Sequence, residues 1–224
     1  MPPVARSLAT AGLVLALAGC VPTDFPSAEP SGPAASPPAA SAVTAARTAL
    51  AHLPVAPARG TGYQRTEDFG SAWVLDADHN GCRQRDDVLR RDLTAVRTSN
   101  RCTVVAGTLR DPYSAVSVTF AKARADDVQI DHVYPLSLAW QHGAATWTKD
   151  QRVGFANDLA NLIATTAAAN RTKSDHGPGE WMPRRAYWCT YATRYVTVAA
   201  HYRLSVSTAD HAALTAALAT CPRA

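Results

Sequence analysis

The stretch Gln129-Ile130-Asp131-His132-Val133-Tyr134-Pro135-Leu136-Ser137 decides how this chain is read. It is answered downstream by Asn161-Leu162-Ile163 and by Asn170-Arg171-Thr172-Lys173-Ser174-Asp175. Val128 to Val133 is a β-like apolar run, and an Asp-His pair leaving it sets a metal-binding carboxylate beside a general base. The two asparagines, nine residues apart, can close the same site from a strand and a helix. These are the parts that hydrolysis of a phosphodiester with one metal ion requires.

Outward from that stretch, the chain reads as a mixed first half and a helical second half. Trp73-Val74-Leu75 predicts a short strand. Asp87 to Val96 predicts a helix, with Val88, Leu89, Leu93 and Val96 at helical spacing. Cys102 to Leu109 and Val116 to Phe120 predict a hairpin turning at Asp111-Pro112-Tyr113. Ser137 to His142 and Thr148 to Ala156 read as short helices. Ala186 to His201 reads as a longer one with Tyr191, Tyr195 and Val198 on one face. Ser207 has the N-cap pattern for a last helix ending near Thr220. Residues 63–224 are thus expected to form one domain, large enough for a single sizeable core.

The N-terminal part has a different character. Residues 1–19 read as a signal peptide: Arg6 gives a weak positive start, and Leu8 to Ala18 is apolar but too short to span a bilayer. The segment ends in Leu17-Ala18-Gly19-Cys20, similar to a bacterial lipobox, which makes Cys20 the expected lipidation site. Residues 20–42 are rich in Pro, Ala and Ser and cannot offset their ordering entropy by burial, so a flexible spacer is expected. Residues 43–62 read as a short helix, ended by Pro54, and a loop. The expected location is outside the cytoplasmic membrane, lipid-anchored or secreted, touching the membrane through the N-terminal lipid only.

Loss of Arg6 with the signal peptide takes the formal charge from +4 to +3. That mild excess permits contact with an anionic polymer without demanding it. With Cys20 set aside, Cys82, Cys102, Cys189 and Cys221 allow three pairings. Cys82–Cys102 and Cys189–Cys221 are favoured because each closes a local loop. A four-cysteine zinc site is the rival, disfavoured by the absence of a Cys-x-x-Cys pair.

On the Asp131-His132, Asn161 and Asn170–Asp175 elements the chain resembles the HNH, or ββα-metal, endonuclease superfamily. It is most similar there to exported relatives of the C-terminal nuclease domain of GmrSD-type restriction enzymes. The resemblance implies an α+β fold with a ββα-metal core and a metal-dependent endonuclease activity. It implies Asp131 and Asn170 as metal ligands, His132 as general base, and Asn161 as the residue that holds the loop and orients His132. Arg171, Lys173 and Arg85 become candidate phosphate contacts. The oxygen-rich ligand set suits Mg²⁺, with Mn²⁺ as the alternative. The implied substrate is nucleic acid, DNA ahead of RNA, and the implied state is a monomer. One departure stands out: Gln129 occupies a position where many such proteins carry an acid.

Other readings compete. Asp76-Ala77-Asp78-His79-Asn80-Gly81 followed by Asp87 matches part of a calcium loop, yet Asn80-Gly81 is also an ordinary tight turn. His142, His176, His201 and His211 have no ligand spacing, and His176 is the one nearest the motif. Trp181, Tyr187 and Trp188 are expected to cover the motif helix. The alternative to an enzyme is an inactive envelope lipoprotein that uses the same fold as a binding module.

Overall fold

Two short, largely buried strands, Val128–His132 and Leu162–Thr166, fix the centre of the molecule. The computed structural model describes residues 36–73, 76 and 79–222. The expected signal peptide, Cys20 and the spacer up to residue 35 lie outside them, as do Val74, Leu75, Ala77 and Asp78. The elements run in the order α1 (Ala40–His52), α2 (Arg65–Phe69), α3 (Gln84–Asp92), β1 (Thr94–Thr98), β2 (Val104–Arg110), β3 (Ser117–Ala121), β4 (Val128–His132), α4 (Leu136–Gln141), α5 (Lys149–Asn157), β5 (Leu162–Thr166), α6 (Ala167–Lys173), α7 (Trp188–His201) and α8 (Thr208–Leu218). The domain is α+β, with an antiparallel sheet β1-β2-β3 and a separate antiparallel pair β4-β5.

β4 pairs with β5 in the register Val128↔Thr166 to His132↔Leu162, and α6 follows β5 directly. Successive strand residues face opposite sides. Val128 and Ile130 therefore enter one apolar cluster with Leu162 and Ala164, joined by Val88 and Leu89 of α3 and by Leu109 and Phe120 of the three-stranded sheet. Gln129 and Asp131 are left facing α6. Every residue of β5 is buried, because a second and larger cluster covers its other side through Ile163.

That larger cluster is helical. Tyr191, Tyr195 and Val198 are buried on one face of α7 as their spacing predicts. α1 adds Val43, Ala46 and Leu50 to the same cluster, and Val55 bridges to Val206. The helix expected from residue 43 thus starts at Ala40 and belongs to the core instead of leading up to it. Cys189–Cys221 joins α7 to the segment after α8, and Cys82–Cys102 ties the start of α3 to the β1–β2 turn. Both favoured pairings are present, each restricting the unfolded chain by about 3 kcal/mol.

One expected helix ends early. Leu93 is the extended C-cap of α3, and Val96 lies in β1, paired into the sheet through neighbours Thr94 and Arg97. Its helical spacing with Leu93 is coincidental; ladder pairing with β2 decided its conformation. No helix among the described residues is long and apolar enough to cross a membrane.

Candidate active site

The facing surfaces of β4 and α6 are polar and matched. Asn170 and Lys173, one turn apart on α6, meet Gln129 and Asp131, two residues apart on β4. Asn170 Nδ2 donates to Gln129 Oε1 at 2.8 Å. Lys173 Nζ donates to Asp131 Oδ1 at 3.0 Å and to the His132 carbonyl at 2.9 Å. Lys173 is wholly buried, so its charge is committed to this pair. The second oxygen of Asp131 accepts from Tyr113 Oη at 2.7 Å. Burial nevertheless raises the Asp131 pKa above the ordinary carboxylate range, against the opposing pull of Lys173 and Tyr113.

His132 ends β4. Its Nε2 lies 2.8 Å from the Ala156 carbonyl. A carbonyl can only accept, so Nε2 carries the proton and the ring's lone pair is on Nδ1. Burial lowers the His132 pKa to about 3, which keeps the imidazole neutral across the physiological range. Trp73 stacks on the ring, with centroids 5.9 Å apart and planes 11° from parallel. His132 is 5% exposed.

Asn161 is buried at the entry to β5. Its Oδ1 accepts from Tyr134 N at 2.7 Å, and its Nδ2 donates to Tyr134 O at 3.1 Å. The Asn161 carbonyl also accepts from Val133 N at 2.8 Å. The turn after His132 is thereby fastened to the start of β5. Arg91 and Arg194 hold the same entry from outside, donating to the carbonyls of Leu159 and Leu162. Asp111, in the β2–β3 turn, accepts from Thr165 Oγ1, Thr166 Oγ1 and Thr166 N. That anchor fixes the turn carrying Tyr113 against β5.

A solvent-facing pocket of about 290 Å³ opens at the end of β4. Tyr63, Arg65, Asp131, His132, Ser137 and Asp175 line it. Ser174 caps the end of α6 with a φ of 50°, and Asp175 after it lines this pocket. Asp175 Oδ2 accepts from Ser137 Oγ at 3.2 Å. Asn170 and Arg171 do not line it, and Arg171 is exposed elsewhere. The Arg85 guanidinium donates to the carbonyls of Ala125 and Val128 and does not line this pocket. His176 is exposed. His142 bonds Ser205, and His211 lies against the Leu50 carbonyl.

Tyr113, Tyr63, Arg65 and Asp175 were not singled out as site residues by sequence reasoning. Only Asp175 carried a local signal, as the end of the motif. The other three lie far from it in the chain and are brought in by tertiary packing. Among the described residues no group of three or more His, Cys, Asp and Glu side chains is gathered as a metal cluster. At the acidic turn, Asp76 accepts from the amides of Asn80 and Gly81, and Asn80 reaches Asp87. Those contacts are those of a tight turn; the remainder of the candidate calcium loop lies outside the described residues.

Residues 83–217 match the family of GmrSD restriction endonucleases, C-terminal domain, and the chain belongs to it. It is also 42% identical over 193 residues to a protein of Arthroderma benhamiae described as "Uncharacterized secreted protein", covering 84% of this chain and 91% of that one. No solved structure matches the chain.

Proposed function

We propose that this protein is a metal-dependent nuclease, acting outside the cytoplasmic membrane on phosphodiester bonds of DNA, with RNA as the lesser substrate. The observation that carries the reading is the state of His132. Its Nε2 is pinned to Ala156 O, which leaves Nδ1 as the proton-accepting nitrogen, and the ring lines one pocket with the Asp131 carboxylate. Membership of a restriction-endonuclease domain family supports the same chemistry.

In this reading His132 Nδ1 takes a proton from the attacking water. Asn161 acts by fastening the turn that follows His132. β4, β5 and α6 form the ββα core. Asp131 and Asn170 would hold Mg²⁺ or Mn²⁺. The oxygen donors are of the kind a hard cation takes. Both Asp131 oxygens are held by Lys173 and Tyr113, and Asn170, whose Nδ2 is held by Gln129, lies outside the pocket, so binding would displace one of these contacts. When bound, the cation supplies charge stabilisation for the phosphorane-like transition state and the departing oxygen. Lys173 already neutralises part of Asp131, so the cation would compete with it or share the carboxylate. The signal and lipobox pattern, together with a relative named as secreted, support the extracytoplasmic location.

The test is plasmid digestion by the purified protein with Mg²⁺, with Mn²⁺ and with chelator. Cleavage that disappears with chelator and in His132→Ala is the expected result. An intact plasmid under every metal condition would favour the second reading, an inactive binding module. The observation on that side is the Trp73 ring covering His132.

A further inference from the structure

The cations first expected to meet a phosphate are mostly spent elsewhere. Lys173 is buried in its pair with Asp131, and Arg85 holds two carbonyls. Arg171 is exposed outside the pocket. The pocket itself carries the carboxylates of Asp131 and Asp175, so an anionic substrate entering it needs positive charge from somewhere. Arg65 is the side chain placed to give it. It opens α2, lines the pocket with His132, and is exposed. No carboxylate forms an ion pair with it among the described residues. Tyr63, two residues earlier in the chain, lines the same pocket.

We propose that Arg65 binds a phosphodiester oxygen of the nucleic acid in the pocket of His132 and Asp131. The planar guanidinium fork suits two phosphate oxygens at once. Arg65 precedes the residues matched by the family, which begin at Arg83, so this part of the site is supplied by the chain's own N-terminal segment. The inference rests on the nuclease reading and names the residue that holds its substrate.

The test measures cleavage kinetics with Mg²⁺, and separately the anisotropy of a labelled DNA duplex in chelator, for wild type, Arg65→Ala, Arg65→Lys and Arg97→Ala. Arg65→Ala is expected to raise KM and the chelator Kd about tenfold and to lower the salt slope by about one. Arg65→Lys should recover part of the loss, and Arg97→Ala, at an exposed arginine of β1, should change neither value beyond about twofold. Thermal melting checks that the variants fold. Wild-type cleavage with unchanged KM and Kd in Arg65→Ala overturns the role of Arg65 alone. A wild type that neither binds nor cuts DNA overturns both this role and the nuclease reading.

Discussion

Lys173 Nζ sits 3.0 Å from Asp131 Oδ1 and 2.9 Å from the carbonyl of the next residue, so one buried ammonium ties α6 to the end of β4. With Lys173 gone, the carboxylate would keep only the Tyr113 hydroxyl as a side-chain partner. Lys173→Met is therefore expected to destabilise the fold by about 3–5 kcal/mol, the usual cost of orphaning one member of a buried pair. Combining it with Asp131→Asn should recover a large share. Urea unfolding of both variants checks this, and equal losses in the single and double variants would count against the pair.

The Tyr113 hydroxyl presents a different case, because the ring itself is packed against Trp181, Tyr187 and Tyr191. Tyr113→Phe keeps that packing and removes only the donor to Asp131. The expected cost is about 1.5–3 kcal/mol, typical of a hydrogen bond to a charged group. A melting temperature equal to wild type would show that Asp131 finds another donor, such as water from the pocket.

For His132 the sign of the pH effect follows from the direction of its shift. Burial lowers its pKa from 6.5 in the unfolded chain to about 3 in the fold. Between those values the unfolded chain binds the extra proton, so stability rises with pH. The contribution is complete above pH 6.5 and is lost as pH falls toward 3. Relative to His132→Gln, wild type should lose up to about 1.4 kcal/mol per pH unit across that window. Unfolding curves at several pH values measure it; parallel curves for the two proteins would contradict a buried neutral ring.

Asn161 is fully buried and satisfies both backbone groups of Tyr134. Asn161→Ala strands those groups, each at about 1–3 kcal/mol. It also frees the turn after His132. Cleavage should accordingly fall further than the loss of folded protein explains, which activity measured well below the melting temperature would separate.

How much of this was legible beforehand depended on distance along the chain. The β4 strand, the β2–β3 hairpin and the α4, α5, α7 and α8 helices follow from local pattern: apolar alternation, turn residues, and the Thr148 and Ser207 caps. Periodicity misled at Val96, where a helical spacing continued past the point at which pairing with β2 took over. The alanine-rich segment before Pro54 gave a helix but no sign that it would pack on α7 and α8.

The sequence by itself determined the order of the motif, because Asp131, His132, Asn161 and the Asn170–Lys173 helix are each written in contiguous residues. It favoured, among three possible pairings, the two local bridges that the structure then showed. Only the tertiary structure decided what those residues face. Lys173 turned inward to a carboxylate because β4 alternates its faces and α6 lies across one of them. Tyr113 and Arg65 joined the site from loops and a short helix whose positions depend on packing between distant segments. No local periodicity encodes that convergence, so it became visible once the strands, the helix and the pocket were in place.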